Sequence, residues 1–277
     1  MSTTVREALA AARAQGVDRL DAQLLLAFHL HRPRAWLIAH DDQPVAAASI
    51  SPYAADIARR ADGVPLAYLL GEREFHGLRL QVTRDVLDPR PDTETLVDWA
   101  LERLAAPSMP PTAEVVDLGT GSGAIALAIA HRHPTARVTA TDLSPKALAV
   151  AQDNAQRLGL AVQWAEGAWW SALPGRRFHL AVSNPPYIRG DDPHLAALRH
   201  EPLLALTPGG DGLDALRAIV GGAPEALRPG GWLLLEHGWD QADAVQALLR
   251  GHGFDDVQTR ADLAGRPRCT GGRRAAV

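Results

Sequence analysis

Apolar residues recur along this chain with two different periods, and the change from one to the other divides it. Over the first 74 positions the spacing is helical: Val5, Leu9, Ala12 and Val17, then Leu20, Leu24, Leu25 and Phe28, then Trp36, Leu37 and Ile38, then Ile50 through Ile57. Asp18 and Ser51-Pro52 stand where helix N-caps belong. Beyond that stretch the alternation of Leu78, Leu80 and Val82 predicts a hairpin strand. Asp88-Pro89-Arg90-Pro91-Asp92-Thr93-Glu94 reads as extended chain running into a helix over 95–104, which Asp92 or Thr93 would cap. A linker over 106–112 with three prolines ends the segment.

From Glu114 onward short apolar runs alternate with amphipathic ones. Strands are expected at 114–118, 137–141, 162–165, 179–183 and 231–236, and helices at 123–133, 145–158, 213–227 and 240–251. Two edge strands are expected near 256–260 and 269–273. Alternation of this kind predicts a doubly wound parallel sheet whose ligands bind at the carboxyl ends of the strands. The chain therefore reads as a helical domain over 1–74, a β-hairpin linker over 75–90 and an α/β domain over 91–277.

Composition narrows the function. With 277 residues, 47% of them hydrophobic, the chain can bury one large core and one small one. The net charge of −4 supplies no basic field for phosphates, so direct DNA binding is not expected. Residues 1–74 hold eight Arg and nine acids, a balance that suits a protein-docking module or a stabilising cap. Arg268, Arg273 and Arg274 could steer an RNA-bearing partner but read better as a solvated tail. Cys269 is the single cysteine, which excludes an internal disulfide and a thiolate metal cluster. His131 and His133 do not share a helix face, so no metal site is expected. The early apolar run from Leu24 to Leu30 contains His29, and no signal pattern follows Met1; the expected location is cytoplasmic, without a membrane partner.

Two motifs carry chemistry. The first is HLAVSNPPY, residues 179–187, a strand ending in Asn184 followed by two prolines and a tyrosine. Consecutive prolines fix two φ angles and remove two backbone donors, leaving a stiff edge of acceptors. With the Asn184 side-chain oxygen and the Tyr187 ring, that edge suits a flat group bearing an NH2, such as an amide or an exocyclic amine. Taken alone, Asn-Pro-Pro could simply end a strand. The second motif is EVVDLGTGSG, residues 114–123: a strand, Asp117, and glycines at 119, 121 and 123 before a helix. Glycines there admit a ligand close to the backbone and leave N–H groups free at the helix start. Asp142, at the end of the next strand, would accept hydrogen bonds from ribose hydroxyls. Gly119-x-Gly121-x-x-Ala124 also satisfies the dinucleotide fingerprint, so the loop by itself does not decide between cofactors. Asp117 and the third glycine resemble instead the S-adenosylmethionine loop of Rossmann-like methyltransferases.

Over nearly its whole length the chain resembles the HemK-type peptide-chain release factor glutamine methyltransferases. The segments are AYLLGEREFHGL (67–78), PRPDTE (89–94), VVDLGTGSGAIALA (115–128), SNPPYI (183–188) and LLLEHGW (233–239). The resemblance implies a class I methyltransferase fold with a seven-stranded, mostly parallel sheet, a small N-terminal helical bundle and a β-hairpin linker. It implies methylation of the side-chain amide nitrogen (N5) of the glutamine in the Gly-Gly-Gln loop of class-1 release factors, with S-adenosylmethionine as donor and S-adenosylhomocysteine as product. By the same resemblance, Gly119, Thr120, Gly121, Ser122 and Gly123 hold the cofactor's methionine part, Asp142 its ribose, and Trp169 flanks the adenine. Asn184, Pro185, Pro186 and Tyr187 form the glutamine pocket, with Asn184, Pro185 and Tyr187 closest to the chemistry and Asn184 also near the cofactor. Arg90-Pro91-Asp92 favours the release-factor branch over the ribosomal-protein glutamine methyltransferases, which resemble it but carry Ser after the Arg-equivalent position.

Two residues depart from the family pattern. Ala168 stands where an Asp commonly precedes the tryptophan, and Asp88 stands where an apolar residue is usual, so it is expected to weaken the hairpin's packing or lie exposed. Trp170 and His237 are read as structural. Rival readings are an amino-methyltransferase acting on nucleic-acid bases, which would need a basic target-recognition region, and a nucleoside-binding module without activity. A nicotinamide oxidoreductase lacks a candidate hydride-transfer constellation.

Overall fold

The computed structural model describes residues 3–275, and the chain divides between Glu72 and Arg73 into two compact units. The first unit is helical: α1 (Val5–Ala14), α2 (Arg19–Leu30), α3 (Arg34–Ala39), α4 (Ala47–Ala61) and α5 (Leu66–Leu70). Thr4 and Glu7 form a reciprocal capping box at α1, and Asp18 caps α2 by accepting from Leu20 N–H at 2.7 Å. Val5, Ala8, Ala12, Leu25, Leu26, Leu37, Tyr53, Ile57 and Leu69 close one core. Ser51-Pro52 is not a cap. α4 starts four residues earlier, at Ala47, and carries Pro52 inside it. The missing N–H removes one helical bond, yet Ile50, Tyr53 and Ile57 share the face that packs into the core, and that burial outweighs the lost bond.

A hairpin starts at the last residue of the first unit and continues into the second, β1 (Glu72–Phe75) and β2 (Leu78–Gln81), turned at His76-Gly77 with both φ angles positive. The hairpin thus starts three residues before the expected linker. Leu78, Leu80 and Val82 are buried, as their alternation predicts. A short 3₁₀ turn over Pro91–Thr93 leads into α6 (Glu94–Leu104), whose first turn has no side-chain cap.

Then follow β3 (Glu114–Leu118), α7 (Ala124–Arg132), β4 (Arg137–Asp142), α8 (Pro145–Leu158), β5 (Gln163–Glu166), β6 (Phe178–Ser183), the short α9 (Leu203–Leu206), α10 (Asp214–Ala226), β7 (Leu227–Glu236), α11 (Ala242–Gly251), β8 (Phe254–Ala261) and β9 (Pro267–Arg274). The sheet has seven strands in the order β5-β4-β3-β6-β7-β9-β8. The first five run parallel, whereas β9 is antiparallel to both β7 and β8. Adjacent strand residues point into different cores: Val115, Leu180, Val182 and Leu234 join α6 and α7, while Val116, Ala181, Leu233 and Leu235 join α10 and α11. Helices therefore cover both faces, which is why these strands read as continuous apolar runs.

One expectation about the sheet is corrected. Residues near 269–273 are not an edge strand, because β9 is inserted between β7 and β8. Its polar, glycine-rich sequence conceals the burial. A Cβ at Gly271 would lie 2.5 Å from Leu234 Cδ2 and 3.0 Å from Trp99 Cη2, so only glycine lets the backbone approach this closely. Nor is Arg268 part of a solvated tail: its side chain is 11% exposed and pairs with Asp92 at 3.3 Å and Asp262 at 3.2 Å.

Candidate active site

The strand order reverses between β3 and β6, and a cavity of about 420 Å³ opens at the carboxyl ends of the strands around that point. Consecutive strands each deliver a segment to its wall: the glycine loop after β3, Asp142 at the end of β4, Gly167 to Trp169 after β5, and Asn184 after β6.

Gly119, Gly121 and Gly123 have φ of 75°, 56° and 85°, a backbone conformation closed to most side chains. The loop is fastened at both ends by Asp117, whose Oδ2 accepts from the Thr120 hydroxyl at 2.6 Å and from Ala126 N–H at 3.2 Å. Burial pushes the Asp117 carboxyl up to about 7 against those two stabilising bonds. Most of the loop's N–H groups are not left free for a ligand. Gly119 and Thr120 both donate to Thr141 O at 2.9 Å, Gly121 donates to Asp142 Oδ2 at 2.9 Å, and Gly123 to Thr120 O. The loop is thereby sewn to β4, and the same bond fixes Asp142, whose Oδ1 accepts from Ser144 N–H. Each Asp142 oxygen keeps a further lone pair for a ligand hydroxyl. Burial raises this carboxyl, with the backbone donors opposing.

Trp169 lines the cavity with φ of 49°, and a Cβ at Gly119 would come within 3.1 Å of its ring. The glycine is what lets the indole lie against the loop. Trp170 turns the other way, donating Nε1–H to Ile219 O at 2.8 Å and packing on Gly222, where a Cβ would lie 2.3 Å from the ring.

Asn184 is partly buried, lines the cavity, and donates from Nδ2 to Thr93 Oγ1 at 3.2 Å. With its nitrogen engaged there, Oδ1 is the amide atom that can accept. Pro186 also lines the cavity, but Pro185 is buried and Tyr187 lies outside the lining. The Tyr187 hydroxyl donates to Glu236 Oε1 at 3.2 Å, and its backbone oxygen accepts from Gln241 Nε2 at 2.9 Å. Glu236, 1% exposed at the end of β7, is pushed up to about 7 by burial, against the Thr93 and Tyr187 hydroxyls and the charge of Arg268. His237 is fully buried, with Nε2 2.7 Å from the Thr270 hydroxyl and Nδ1 2.8 Å from Gly238 O; burial lowers it. Among the described residues no group of His, Cys, Asp and Glu could hold a metal ion.

Several lining residues were not expected at the site: Phe75 on the hairpin, Arg90 and Thr93 before α6, whose segments were read for family likeness or capping, and Pro202, Leu204, Thr207 and Pro208 from the long loop after β6. That loop is pinned by Glu201, which meets Arg90 at 2.5 Å and accepts from Asp88 N–H at 3.2 Å.

Residues 3–71 match the family described as PrmC N-terminal domain, and residues 95–211 the family described as Methyltransferase small domain. The release factor glutamine methyltransferase of Bordetella pertussis is 54% identical over 260 residues, spanning 93% of this chain and 95% of that protein. This chain belongs to the release factor glutamine methyltransferases. The Xylella fastidiosa (strain Temecula1) member of that family is 53% identical over 269 residues, covering 96% of this chain and 97% of its own. A methyltransferase structure from Pyrococcus furiosus shares the fold at a TM-score of 0.55 and 16% identity, covering 72% of this chain and 90% of that one. In this release factor glutamine methyltransferase, Asp88 is neither exposed nor loosely packed. It is 5% exposed, between Arg73 and Arg90 at 3.6 Å each, and their charges partly offset the burial that raises its carboxyl. Among the described residues, no helix is long and apolar enough to cross a membrane.

Proposed function

We propose that this protein transfers a methyl group from S-adenosylmethionine to the side-chain amide nitrogen (N5) of the glutamine in the Gly-Gly-Gln motif of class-1 peptide-chain release factors, in the cytoplasm, tuning translation termination. The observation that carries the reading is Asn184 in the same cavity wall as the glycine loop and Asp142, with its nitrogen tied to Thr93. A donor pocket and an amide acceptor then share one cavity. Its volume suits a nucleoside-sized ligand, and Asp142 and Trp169 offer a carboxylate for hydroxyls and a flat face for a base. When bound, the cofactor supplies an electrophilic methyl on a positively charged sulfur.

An amide nitrogen is a poor nucleophile because its lone pair is delocalised into the carbonyl. Asn184 Oδ1 and the Pro185 carbonyl would accept both amide hydrogens, hold the plane and direct the nitrogen. Tyr187, outside the cavity lining and held by Glu236 and Gln241, would back the segment that presents Asn184 to the amide. The N-terminal helical unit would dock the release factor.

The test is incubation with labelled S-adenosylmethionine and a release factor whose loop glutamine is intact or replaced. Label should appear only in the intact factor. Asn184→Ala should lose about two orders of magnitude in turnover, equivalent to roughly 3 kcal/mol, and still bind S-adenosylhomocysteine. Transfer near the wild-type rate would remove Asn184 from the mechanism.

A further inference from the structure

The partner that turns the Asn184 amide comes from a segment its own strand does not hold. Nδ2 donates to Thr93 Oγ1 at 3.2 Å, and Thr93 stands on the 3₁₀ turn that its own N–H closes on Arg90 O at 3.1 Å. Residues 87–90, before that turn, belong to no helix or strand, and Pro89 and Pro91 carry no backbone donor. A second stretch of cavity wall is as weakly built: Pro202, Leu204, Ala205, Thr207 and Pro208 come from the long loop after β6, where the only regular element is the four-residue α9. Glu201 joins the two. Its Oε1 accepts from Arg90 Nη2 at 2.5 Å and its Oε2 from Asp88 N–H at 3.2 Å, with the side chain 3% exposed. The other terminal nitrogen of Arg90 is 3.6 Å from Asp88 Oδ2, and Arg73 Nε is 3.6 Å from Asp88 Oδ1, so the cluster balances two cations against two acids. Further along the loop, Leu206 O accepts from Ile188 N–H at 3.0 Å, which ties the same stretch to the residue after Tyr187.

We propose, on the functional reading above, that Glu201 is a positioning residue for the transfer: its carboxylate sets the register between the stretch that carries Thr93 and the stretch over 202–208. A carboxylate with one donor on each oxygen fixes an angle as well as a distance, which an apolar contact does not. Two apolar side chains at 90 and 201 would stabilise the fold about as well, because a buried ion pair barely repays its desolvation. They would not hold the 88–93 backbone against the loop at one fixed offset. Glu201 lies outside the cavity lining, so it acts on a ligand only through its neighbours. Arg90 does line the cavity, with its guanidinium turned to Glu201 and Asp88. Without the carboxylate, the 202–208 stretch keeps its tie to Ile188 and loses its tie to Arg90, and Thr93 loses the brace behind Asn184.

The experiment uses three variants of the full chain: Glu201→Gln, Arg90→Gln and the double variant. Glu201→Gln keeps the shape and sets an NH2 against one of the two donors; Arg90→Gln leaves the carboxylate buried without its cation; the double variant removes both charges. In calorimetry well below the melting temperature, each single variant should weaken S-adenosylhomocysteine binding about tenfold. The double variant should lose no more than the weaker-binding single, because the two residues form one clasp. In all three, kcat should fall about ten- to a hundredfold. A brace that served stability alone would leave the Kd unchanged at that temperature, so a wild-type Kd in Glu201→Gln overturns the proposal. So does a double variant whose loss is the product of the single losses, which would make Arg90 and Glu201 independent. Should Arg90→Gln fail to fold, Glu201→Gln decides; should Glu201→Gln fail, the double variant does, and wild-type affinity in it overturns the proposal. A wild type that binds S-adenosylhomocysteine but does not methylate the release factor would instead refute the functional reading, which the two measurements keep apart.

Discussion

Gly212 makes a sharp test of how the long loop after β6 bears on the site. Its φ is 81°, and a Cβ added there would sit 2.4 Å from Tyr187 O, 3.1 Å from Gln241 Nε2 and 3.2 Å from Arg189 N. Ordinary contact begins near 3.4 Å, so the loop and the Tyr187 backbone would have to separate by about 1 Å. Tyr187 O cannot yield without loosening its 2.9 Å bond to Gln241, whose Oε1 also holds Gly238 N–H. Gly209, in the same loop, has φ of 84° and open space where its Cβ would go. Gly209→Ala and Gly212→Ala therefore share the left-handed backbone penalty, about 1–2 kcal/mol, and differ only in the collision. Displacing substrate-positioning groups by about 1 Å lowers turnover on the order of a hundredfold. Urea denaturation should show both variants destabilised, Gly212→Ala by roughly 1–3 kcal/mol more. Steady-state methylation should show Gly212→Ala about a hundredfold slower than Gly209→Ala, with equal affinity for S-adenosylhomocysteine. Equal kcat in the two variants would refute the idea that this loop fixes the Tyr187 backbone.

Two further outcomes are expected. Asp117 is held neutral to about 7 in the folded protein and ionises near 3.8 when unfolded, so the native state binds the extra proton between those values and stability falls as pH rises through the window. At about 1.4 kcal/mol for each pH unit of that difference, the loss reaches about 4 kcal/mol above pH 7, and Asp117→Asn should remove it: denaturation midpoints at about pH 5 and about pH 8 should lie closer together than in the wild type. Trp169→Ala should weaken S-adenosylhomocysteine binding by about 1–3 kcal/mol in calorimetry, the worth of one stacked base, and leave the melting temperature nearly unchanged because the ring sits at a cavity wall.

What the sequence could announce was whatever is local. Apolar runs flanked by glycine or proline gave β3, β4 and β6 within a residue of their bounds, because a strand covered on both faces is written as an unbroken apolar stretch. The glycine loop, Asp142 and Asn184, which line one cavity, were read for the same reason: each follows or ends a strand that its own neighbours define, whereas Trp169 was expected only from the family resemblance. Local pattern failed where burial comes from a distant partner. β9 reads as a polar edge because Gly271 and Gly272 pack by having no side chain, and Ser51-Pro52 reads as a cap because the burial that carries α4 through its proline comes from other helices. Thr93 looked like a capping residue, but its hydroxyl is turned to Asn184, 91 positions away. Arg90 and Asp88 meet Glu201 across more than a hundred residues, a pairing no spacing rule reaches.

The two carboxylates at the ends of β3 and β7 bear on why the site is built as it is. These strands flank β6, which delivers Asn184, and each carries a buried acid near its carboxyl end: Asp117 on one side and Glu236 on the other. Neither has an ion-pair partner among the described residues, and each has one oxygen, Asp117 Oδ1 and Glu236 Oε2, without a hydrogen bond. By contrast Asp88, equally cut off from water, lies between two arginines. A core selected for stability alone would place apolar side chains at 117 and 236, since a buried acid without an ion-pair contact lowers stability, and the charge of Arg268 only partly offsets the burial of Glu236. What each acid does have is a hydrogen-bonded contact to a segment lining the cavity or adjoining its lining: Thr120 and Ala126 across the glycine loop for Asp117, and the Tyr187 hydroxyl, three residues beyond Asn184, for Glu236. Stability is surrendered at the two strand ends that frame the chemistry, and what it secures is the fixed geometry of the donor loop and of the amide acceptor between them.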